Sequence, residues 1–248
     1  MLKITVITVS YNSDPTIKDT VKSIANQEYP NIEYIVVDGL STDNTVAILK
    51  SYPDVISKVI SEKDSGIYDA MNKGIDLATG DIIGVLNADD FYPHHEVLKK
   101  VAAIFEDSSI DCCYGDLVYV DSVDTNHIVR RWHSGEFSQK QFYRGWMPPH
   151  PTFFVRRSLY ERLGLFRLDM GTSADYELML RFLLKHSAKV SYIPDVLVKM
   201  RTGGASNATL TKRLLANRMD RKAWDVNGLK PYPWTLIFKP LSKLTQYI

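Results

Sequence analysis

Residues 4–12, ITVITVSYN, and residues 32–38, IEYIVVD, decide the fold class of this 248-residue chain. Both stretches are short, rich in β-branched residues and apolar at successive positions, which is typical of strands buried on both faces of a sheet. Between them, Pro15 fits a first helical turn, and apolar residues follow it at helical spacing. A strand, a helix and a second strand in this order predict a βαβ unit over a parallel sheet.

The same alternation continues along the chain. Residues 55–60 predict a third strand, residues 67–78 a helix with one apolar stripe, and residues 81–86 a buried fourth strand. A further helix is predicted to begin near Ser173, which is a favourable cap. After residue 112 the pattern changes to short predicted strands separated by turns, at residues 112–114, 117–120 and 127–132. The sequence therefore predicts an α/β fold with a predominantly parallel central sheet flanked by helices.

Charge and cysteine content restrict the function classes. The net charge is +1, too small for a general polyanion binder, so nucleic acid is not an expected partner. Residues 206–248 nevertheless carry eight Lys or Arg against two Asp, a net charge of +6. Adjacent Cys112 and Cys113 are the only cysteines, which favours a reducing compartment. With no signal-peptide pattern and no apolar stretch near the roughly 20 residues of a membrane span, a cytoplasmic protein is expected.

Acidic side chains follow three of the predicted strands: Asp38, Asp64 and the pair Asp89 and Asp90. Ligands of open α/β sheets bind at the carboxyl ends of strands, and clustered carboxylates repel one another unless a cation or ligand hydroxyls satisfy them. Asp38 is placed to accept hydrogen bonds from a ribose or a base, although a turn capped by Thr42 explains the same run. Asp89 and Asp90 offer the oxygen ligands that Mg²⁺ and Mn²⁺ take, although a solvated Asp-Asp turn is the alternative.

A set of motifs in one order resembles glycosyltransferase family 2. It consists of ITVITVSYN (4–12), VVDG (36–39), STDNT (41–45), EKDSGIYDAMNKG (62–74), LNADD (86–90), HPTFF (150–154), GTSADYEL (171–178) and GGAS (203–206). Each motif is modest, but the ordered set is highly specific. The resemblance implies a GT-A fold over residues 1–205, with a nucleotide-sugar-binding half at 1–115, an acceptor half at 116–205 and a basic helical tail at 206–248. It is strongest toward bacterial enzymes that build surface polysaccharide, such as O-antigen.

The resemblance implies roles for donor-side residues. Four of them match positions that line the nucleotide pocket, the first two toward uracil and ribose: Val9, Asp38, Asp64 and Asn72. Residues 87–89 stand where the family has an Asp-x-Asp motif, and Asp89 matches the second, metal-binding Asp. Asn87 replaces the first Asp and can still bond a ribose hydroxyl, while Asp90 is a helper. The implied ligands are a nucleotide-sugar, with UDP preferred, and a divalent cation, Mn²⁺ or Mg²⁺.

Asp175 matches the catalytic base of the family, although Ala174 precedes it where many members have Glu. In the first turn of a helix capped by Ser173, the macrodipole favours an ionised carboxylate. A first-turn acid without a catalytic role is the alternative. The resemblance implies a single in-line displacement with inversion, in which Asp175 takes the proton of the acceptor hydroxyl.

Three further residues are predicted to contact the acceptor or the diphosphate: His150, Trp146 and Arg201. For each of the three a structural alternative remains. His150 would be a structural loop histidine and Trp146 a core aromatic. Arg201 with residues 203–204 would form a plain turn instead of a flexible lid over the diphosphate. The acceptor implied by the resemblance is a saccharide, carried on a polyprenyl diphosphate.

The tail combines aromatic, apolar and basic residues at helical spacing over residues 231–248. Such a segment can lie on an anionic membrane surface, at the cytoplasmic face of the inner membrane. Packing on the domain, or a homodimer contact, is equally consistent with the pattern. A helix here requires Pro240 in or near its first turn.

Two other functions compete with glycosyl transfer. A nucleotidyltransferase should carry a glycine-rich, basic phosphate loop after the first strand, and residues 10–13, SYNS, have neither feature. A catalytically silent carbohydrate- or nucleotide-binding module would not need Asp38, Asp89 and Asp175 together. Turnover of a donor sugar with Mn²⁺ or with EDTA separates such a module from an enzyme.

Overall fold

The computed structural model describes residues 1–203 and 210–241. Nine strands of these residues form one sheet: β1 Ile4–Ser10, β2 Ile32–Asp38, β3 Lys58–Ser61, β4 Ile82–Val85, β5 Asp90–Phe91, β6 Cys112–Val120, β7 Ile128–Trp132, β8 Phe154–Arg156 and β9 Val190–Arg201. Their α-helices are α1 Ile17–Ala25, α2 Thr45–Lys50, α3 Ile67–Leu77, α4 Val97–Ile104, α5 Gln139–Tyr143, α6 Arg157–Leu163, α7 Ala174–Met179, α8 Leu210–Val226 and α9 Thr235–Leu241. Single 3-10 segments, His150–Thr152 and Leu168–Ser173, precede β8 and α7, and a π-helix, Leu180–Lys185, follows α7.

The strand order is β3-β2-β1-β4-β8-β6-β9-β5, with β7 paired to β6. The strands β3, β2, β1 and β4 are all parallel, as are β6 and β9. Antiparallel pairing enters only with β5, β7 and β8. The predicted α/β fold, with a mostly parallel sheet flanked by helices, is confirmed.

Two apolar cores lie on opposite faces of the sheet, and β1 contributes to both. Ile7 and Val9 pack in the core that includes α3 and α7, whereas Ile4 and Val6 pack in the core that includes α1 and α4. Every residue of β1 is buried. This burial on both faces is the physical reason for the near-continuous apolar run that begins the chain.

The predicted division of residues 112–120 into two short strands is wrong. They form the single strand β6, whose register with β9 shifts between Gly115 and Asp116 and again before Leu117. The two apolar runs belong to one strand because a β-bulge, and not a turn, separates them. Cys112 and Cys113 are buried free thiols.

The C-terminal helix α9 packs on the body of the protein. At Gly145, where φ is +83°, a Cβ atom would clash with the main chain of Lys239. Lys239 Nζ lies 2.8 Å from Asp220 Oδ2 and 3.5 Å from the centre of the Tyr176 ring. Packing on the domain, one of the alternatives for the tail, therefore describes residues 235–241.

The position predicted for Pro240 is wrong. This residue is the last but one of α9 and not part of its first turn, because Pro233 already interrupts the chain and the helix begins just after it. Residues 242–248, including the predicted apolar positions Leu244 and Ile248, lie outside the described residues. Among the helices of residues 1–203 and 210–241, none has the length and apolar character needed to cross a membrane.

Candidate active site

The cleft lies at one edge of the sheet, where the parallel strands β1, β2, β3 and β4 end. Ser10 of β1 pairs with Asp38 of β2, which in turn pairs with Ser61 of β3. Because β4 runs parallel to β1, the loop that follows it opens at the same edge. Because β8 is antiparallel to β4, its beginning reaches this edge. The fold thus brings the predicted donor-side loops together with the segment before β8, which contains His150.

Asp38 lies at the centre of this edge and is fully buried. Its carboxylate accepts hydrogen bonds from the hydroxyls of Ser10 at 3.0 Å and Ser61 at 2.7 Å, and from both the hydroxyl and the N–H of Ser41. Four bonds fill the acceptor positions of a carboxylate. Asp38 therefore organises the ends of three strands, and its predicted direct contact with ribose or base requires one of these hydroxyls to turn away.

The loops after β1 and β2 are bound to each other and contain two residues with positive φ. Asn12 and Leu40 have φ of +47° and +64°, which is uncommon for non-glycine residues and is enriched at functional sites. Asn12 N–H donates to Ser41 Oγ at 2.8 Å, and Asn12 Oδ1 accepts from Thr42 N–H at 2.9 Å. Tyr11 and Leu40 stay 64% and 56% exposed, so the loops present an apolar rim to a ligand.

Asp64 joins these loops, whereas Val9 belongs to the core. One carboxylate oxygen of Asp64 lies against Gly39, directly after Asp38, and the other accepts the N–H of Gly66 at 2.9 Å. Val9 is 7% exposed and its side chain packs beneath the edge. The structure thus brings Asp64 and Asp38 together and leaves the Val9 side chain no ligand-facing surface.

Asn72 is engaged outside the donor-side loops. Its amide donates to the carbonyl of Phe166 at 2.9 Å and accepts the N–H of the same residue at 3.0 Å. The side chain is therefore committed to joining α3 to the loop before residue 168. This differs from its predicted place in the nucleotide pocket. The reason is that the fold brings the main chain of Phe166, 94 residues away in sequence, within hydrogen-bond distance of the Asn72 amide.

Arg201 lies beneath the loop after β4 and not over the cleft. Its guanidinium, 7% exposed, donates to the carbonyl of Asp89 at 2.9 Å and to Asp19, and it stacks 4.9 Å from the centre of the Phe91 ring. With these partners it is not built as a mobile lid. Of residues 203–204, with which a lid was predicted, residue 204 lies outside the described part of the chain. Arg201 instead holds the main chain of Asp89 in place.

Oxygen atoms without partners gather at Asn87 and Asp90. The Asn87 amide donates to Asp90 Oδ2 at 3.1 Å, while Asn87 Oδ1 and Asp90 Oδ1 are buried without a hydrogen-bond partner. Burial, and then the charge of Asp89, raises the pKa of Asp90 well above its usual range. Burial also raises the pKa of Asp89, against the opposing charge of Arg201. Burial thus disfavours the charged form of both carboxyl groups, and the nearby Arg201 offsets this only in part.

These residues fit the divalent ion that the resemblance implies. Hard oxygen atoms are the ligands of Mg²⁺ and Mn²⁺, and buried acceptors without partners call for an ion or a water. Within the two described segments, no three His, Cys, Asp or Glu side chains form a metal cage. Asp89, at the cleft, would hold such an ion with Asp90 behind it, and nucleotide phosphate oxygens and waters would complete the shell.

Asp175 stands in the first turn of α7 and contacts another part of the chain. Its Oδ1 accepts the N–H of Tyr176 at 2.8 Å, and its Oδ2 lies 3.3 Å from His150 Nδ1. Burial, and then the charge of Asp175, raises the pKa of Tyr68 on α3, so the nearby Tyr68 hydroxyl stays a proton donor. Ser173 precedes the helix as predicted, but its hydroxyl makes no cap hydrogen bond.

A small cavity lies between the end of β4 and the predicted base Asp175. Its lining includes Val85, the last residue of β4, together with His150 and Asp175. Its remaining lining is apolar or aromatic: Met71, Phe153, Tyr160, Phe166, Leu178 and Met179. Because residues 86–90 directly follow Val85, the loop that carries Asp89 opens on the same edge as Asp175. The two carboxylates therefore do not lie on opposite sides of the molecule.

Trp146 belongs mainly to a cluster of aromatic rings. Its ring lies edge-on to Tyr114 at 5.9 Å and to Phe142 at 5.7 Å, and Phe142 stacks on Tyr176 at 6.4 Å. The packing alternative thus accounts for most of this side chain. Trp146 is partly buried, and only its exposed part is left for the predicted acceptor contact.

The sequence interpretation missed Tyr68 and Leu40. Tyr68 stands inside the motif EKDSGIYDAMNKG, but no spacing within that motif shows that α3 carries its hydroxyl to the region of Asp175. Leu40 has no sequence signal for its positive φ, because an apolar residue rarely adopts that conformation.

Comparison with known proteins places the chain among enzymes of one kind. Residues 5–164 match glycosyl transferase family 2. The chain is 33% identical over 198 residues to a PGL/p-HBAD biosynthesis glycosyltransferase of Mycobacterium bovis, covering 78% of this chain and 75% of the relative. Two solved structures are similar over 96% of this chain and 69% of theirs. S. aureus TarS in complex with UDP-GlcNAc has a TM-score of 0.68 at 18% identity. A mannosyltransferase from Pyrobaculum calidifontis with GDP-Man and Mn²⁺ has 0.67 at 19%.

Proposed function

The chain belongs to glycosyltransferase family 2 and has the GT-A fold, and on this premise we propose that it transfers a sugar from a UDP-sugar to a saccharide hydroxyl with inversion. The observation that carries the proposal is the opening of Asp89 and Asp175 on one sheet edge, beside the loops around Asp38. The UDP-GlcNAc of TarS and the GDP-Man of the mannosyltransferase support a nucleotide-sugar as donor.

Each residue of the cleft has a task in this reaction. Asp175 takes the proton of the acceptor hydroxyl while the acceptor oxygen attacks the anomeric carbon of the donor sugar. Because the attack is a single displacement, an α-linked donor gives a β-linked product. His150 lies beside the Asp175 carboxylate and helps to hold it in position. Arg201 holds the main chain of Asp89 through a hydrogen bond to its carbonyl. Asp89 would hold a divalent ion, Mn²⁺ or Mg²⁺, which would supply positive charge beside the departing diphosphate.

A screen of donors tests the proposal. UDP-sugars, GDP-sugars and dTDP-sugars are compared by thermal shift, each with Mn²⁺ and with EDTA. A UDP-sugar at about 100 times its Kd is expected to raise Tm by roughly 5–10 °C with Mn²⁺, and by less with EDTA. Hydrolysis or transfer of that donor then separates an enzyme from a silent binding module. If no nucleotide-sugar shifts Tm, the proposal fails.

We further propose that the acceptor is lipid-linked, on a polyprenyl diphosphate, and that the enzyme works in bacterial surface polysaccharide synthesis at the cytoplasmic face of the membrane. Support comes from the tail, where Tyr232, Trp234 and Phe238 remain 51%, 47% and 45% exposed although α9 packs on the domain. Exposed Lys230 precedes them. Aromatic rings beside basic residues match the interface of an anionic membrane.

Substitution of two of these three exposed rings, Trp234→Ser with Phe238→Ser, is expected to weaken binding to phosphatidylglycerol-containing vesicles by about tenfold or more, because their apolar area no longer enters the interface. Sedimentation with vesicles measures the effect. Val123→Ser is the matched control, since Val123 is 91% exposed in a turn before β7. Unchanged vesicle binding with altered self-association would assign this surface to a homodimer. Deletion of residues 231–248 is a poorer test, because it would also uncover Gly145.

A further inference from the structure

We propose that Asp116, His133 and Tyr192 form a subsite for a pyranose ring of the acceptor. The inference rests on the proposed glycosyl transfer and names a recognition site for the acceptor, separate from the donor loops and the Asp175 cluster. The ligand class is a neutral sugar that offers hydroxyl groups to hydrogen-bond acceptors.

The subsite is connected to the catalytic edge through Gly115. The hydroxyl of Thr152, two residues after His150, accepts the N–H of Gly115 at 3.3 Å. The same hydroxyl lies 2.8 Å from the Pro149 carbonyl and 3.1 Å from the Gly115 carbonyl. Asp116 follows Gly115 at the β-bulge of β6. Bulges re-aim side chains and are common beside active sites. The bulge therefore brings a carboxylate next to the segment that carries His150.

The Asp116 carboxylate is oriented and retains acceptor capacity. Oδ1 accepts the Ser134 N–H and the Tyr192 hydroxyl, both at 2.8 Å, and Oδ2 lies 2.9 Å from His133 Nδ1. A carboxylate has about four acceptor positions, so one at Oδ2 stays available. In the neutral imidazole with Nδ1–H donating to Asp116, His133 Nε2 is an acceptor on a side chain that is 77% exposed. Two acceptors thus serve the hydroxyls of one ligand.

Charge and aromatic rings favour a sugar over a phosphate. Asp116 and Glu136 both lie close enough to act on the Tyr192 hydroxyl, whose pKa is raised by burial and then by Asp116, and two carboxylates repel an anion. The Tyr114 ring lies 5.5 Å from Tyr192 and 5.9 Å from Trp146. Because Tyr114 is fully buried, the aromatic surface beside the polar cluster is that of the partly buried Tyr192 ring, which lies edge-on to the His133 ring at 6.1 Å. A small-molecule site usually combines a small number of polar groups with an aromatic surface beside them.

The test uses the full chain saturated with UDP and Mn²⁺. Methyl glycosides of glucose, galactose, mannose and N-acetylglucosamine are examined one at a time by saturation-transfer difference NMR. At least one is expected to bind, and its Kd is expected to rise at least fivefold in His133→Ala and in Tyr192→Phe. UDP affinity should stay unchanged in both variants, because neither residue belongs to the donor loops. His186→Ala is the matched control, since His186 is an exposed histidine after the π-helix.

The outcomes separate this inference from the function on which it rests. A wild-type chain that binds UDP but none of the four glycosides overturns the subsite and leaves the donor proposal standing. Equal glycoside affinity in wild type and His133→Ala also overturns it, because His133 then only pins β6 to the turn after β7. A chain that fails to bind UDP with Mn²⁺ overturns both proposals.

Discussion

Asp175→Asn is expected to lower the rate of sugar transfer by roughly 10²–10⁴-fold, the range attributed to a general acid or base. Asparagine matches aspartate in shape and can still accept the N–H of Tyr176, so α7 should keep its geometry. It cannot take a proton from the acceptor hydroxyl. The measurement is kcat for transfer alongside Kd for UDP by calorimetry, and Kd should change little.

The control for this variant is Asp169→Asn. Asp169 lies in the 3-10 segment just before α7, half exposed, and its carboxylate pairs with Arg167 and Lys222. Transfer should stay near the wild-type rate when it is replaced. A parallel loss of UDP affinity and transfer in Asp175→Asn would instead assign Asp175 a structural role.

Asp89→Ala is expected to lower transfer by roughly 10³-fold at fixed Mn²⁺, because a bound ion contributes several kcal/mol of charge stabilisation and about 1.4 kcal/mol corresponds to tenfold in rate. The chain supplies few other ligands, since Asp90 is buried and Asn87 carries no charge. Two measurements apply: the Mn²⁺ concentration that gives half-maximal activity, and the Tm shift produced by UDP with Mn²⁺.

Asp54→Ala serves as the control for Asp89→Ala, since Asp54 is exposed in the turn before β3. It should preserve both the Mn²⁺ response and the rate. If Asp89→Ala responds to Mn²⁺ as the wild type does, the ion does not bind at this loop. The hydrogen bond from Arg201 to Asp89 goes to the main-chain oxygen, so Asp89→Ala leaves that hydrogen bond in place.

Much of the fold of residues 1–115 could be predicted from the sequence. The strand predicted at residues 32–38 coincides with β2, and the helical stripe from residue 67 coincides with α3 through residue 77. Both elements bury apolar faces whose spacing is visible locally. The order of strands and acidic turns then implied one shared edge, since parallel strands end together. The same rule predicts Asp38, Asp64 and Asp89 at one edge of the sheet.

The local pattern failed where one residue interrupts it. In the sequence, the bulge at Gly115 and Asp116 resembles a turn between two strands, because the alternation of inward and outward side chains is lost there. The tail posed a different problem. Its aromatic and basic spacing matches a membrane surface, a packed helix or a dimer contact equally well, since each of these buries one apolar face.

The sequence by itself determined the fold class, the succession of strands and helices in residues 1–115 and the family, because these depend on periodicity and on motifs that are continuous along the chain. Only the tertiary structure decided which partner each polar side chain takes. It directed Asn72 to Phe166, Arg201 to the main chain of Asp89, and three serine hydroxyls to Asp38. These partners lie far apart in sequence, and a buried polar group bonds whatever the folded chain brings within about 3 Å.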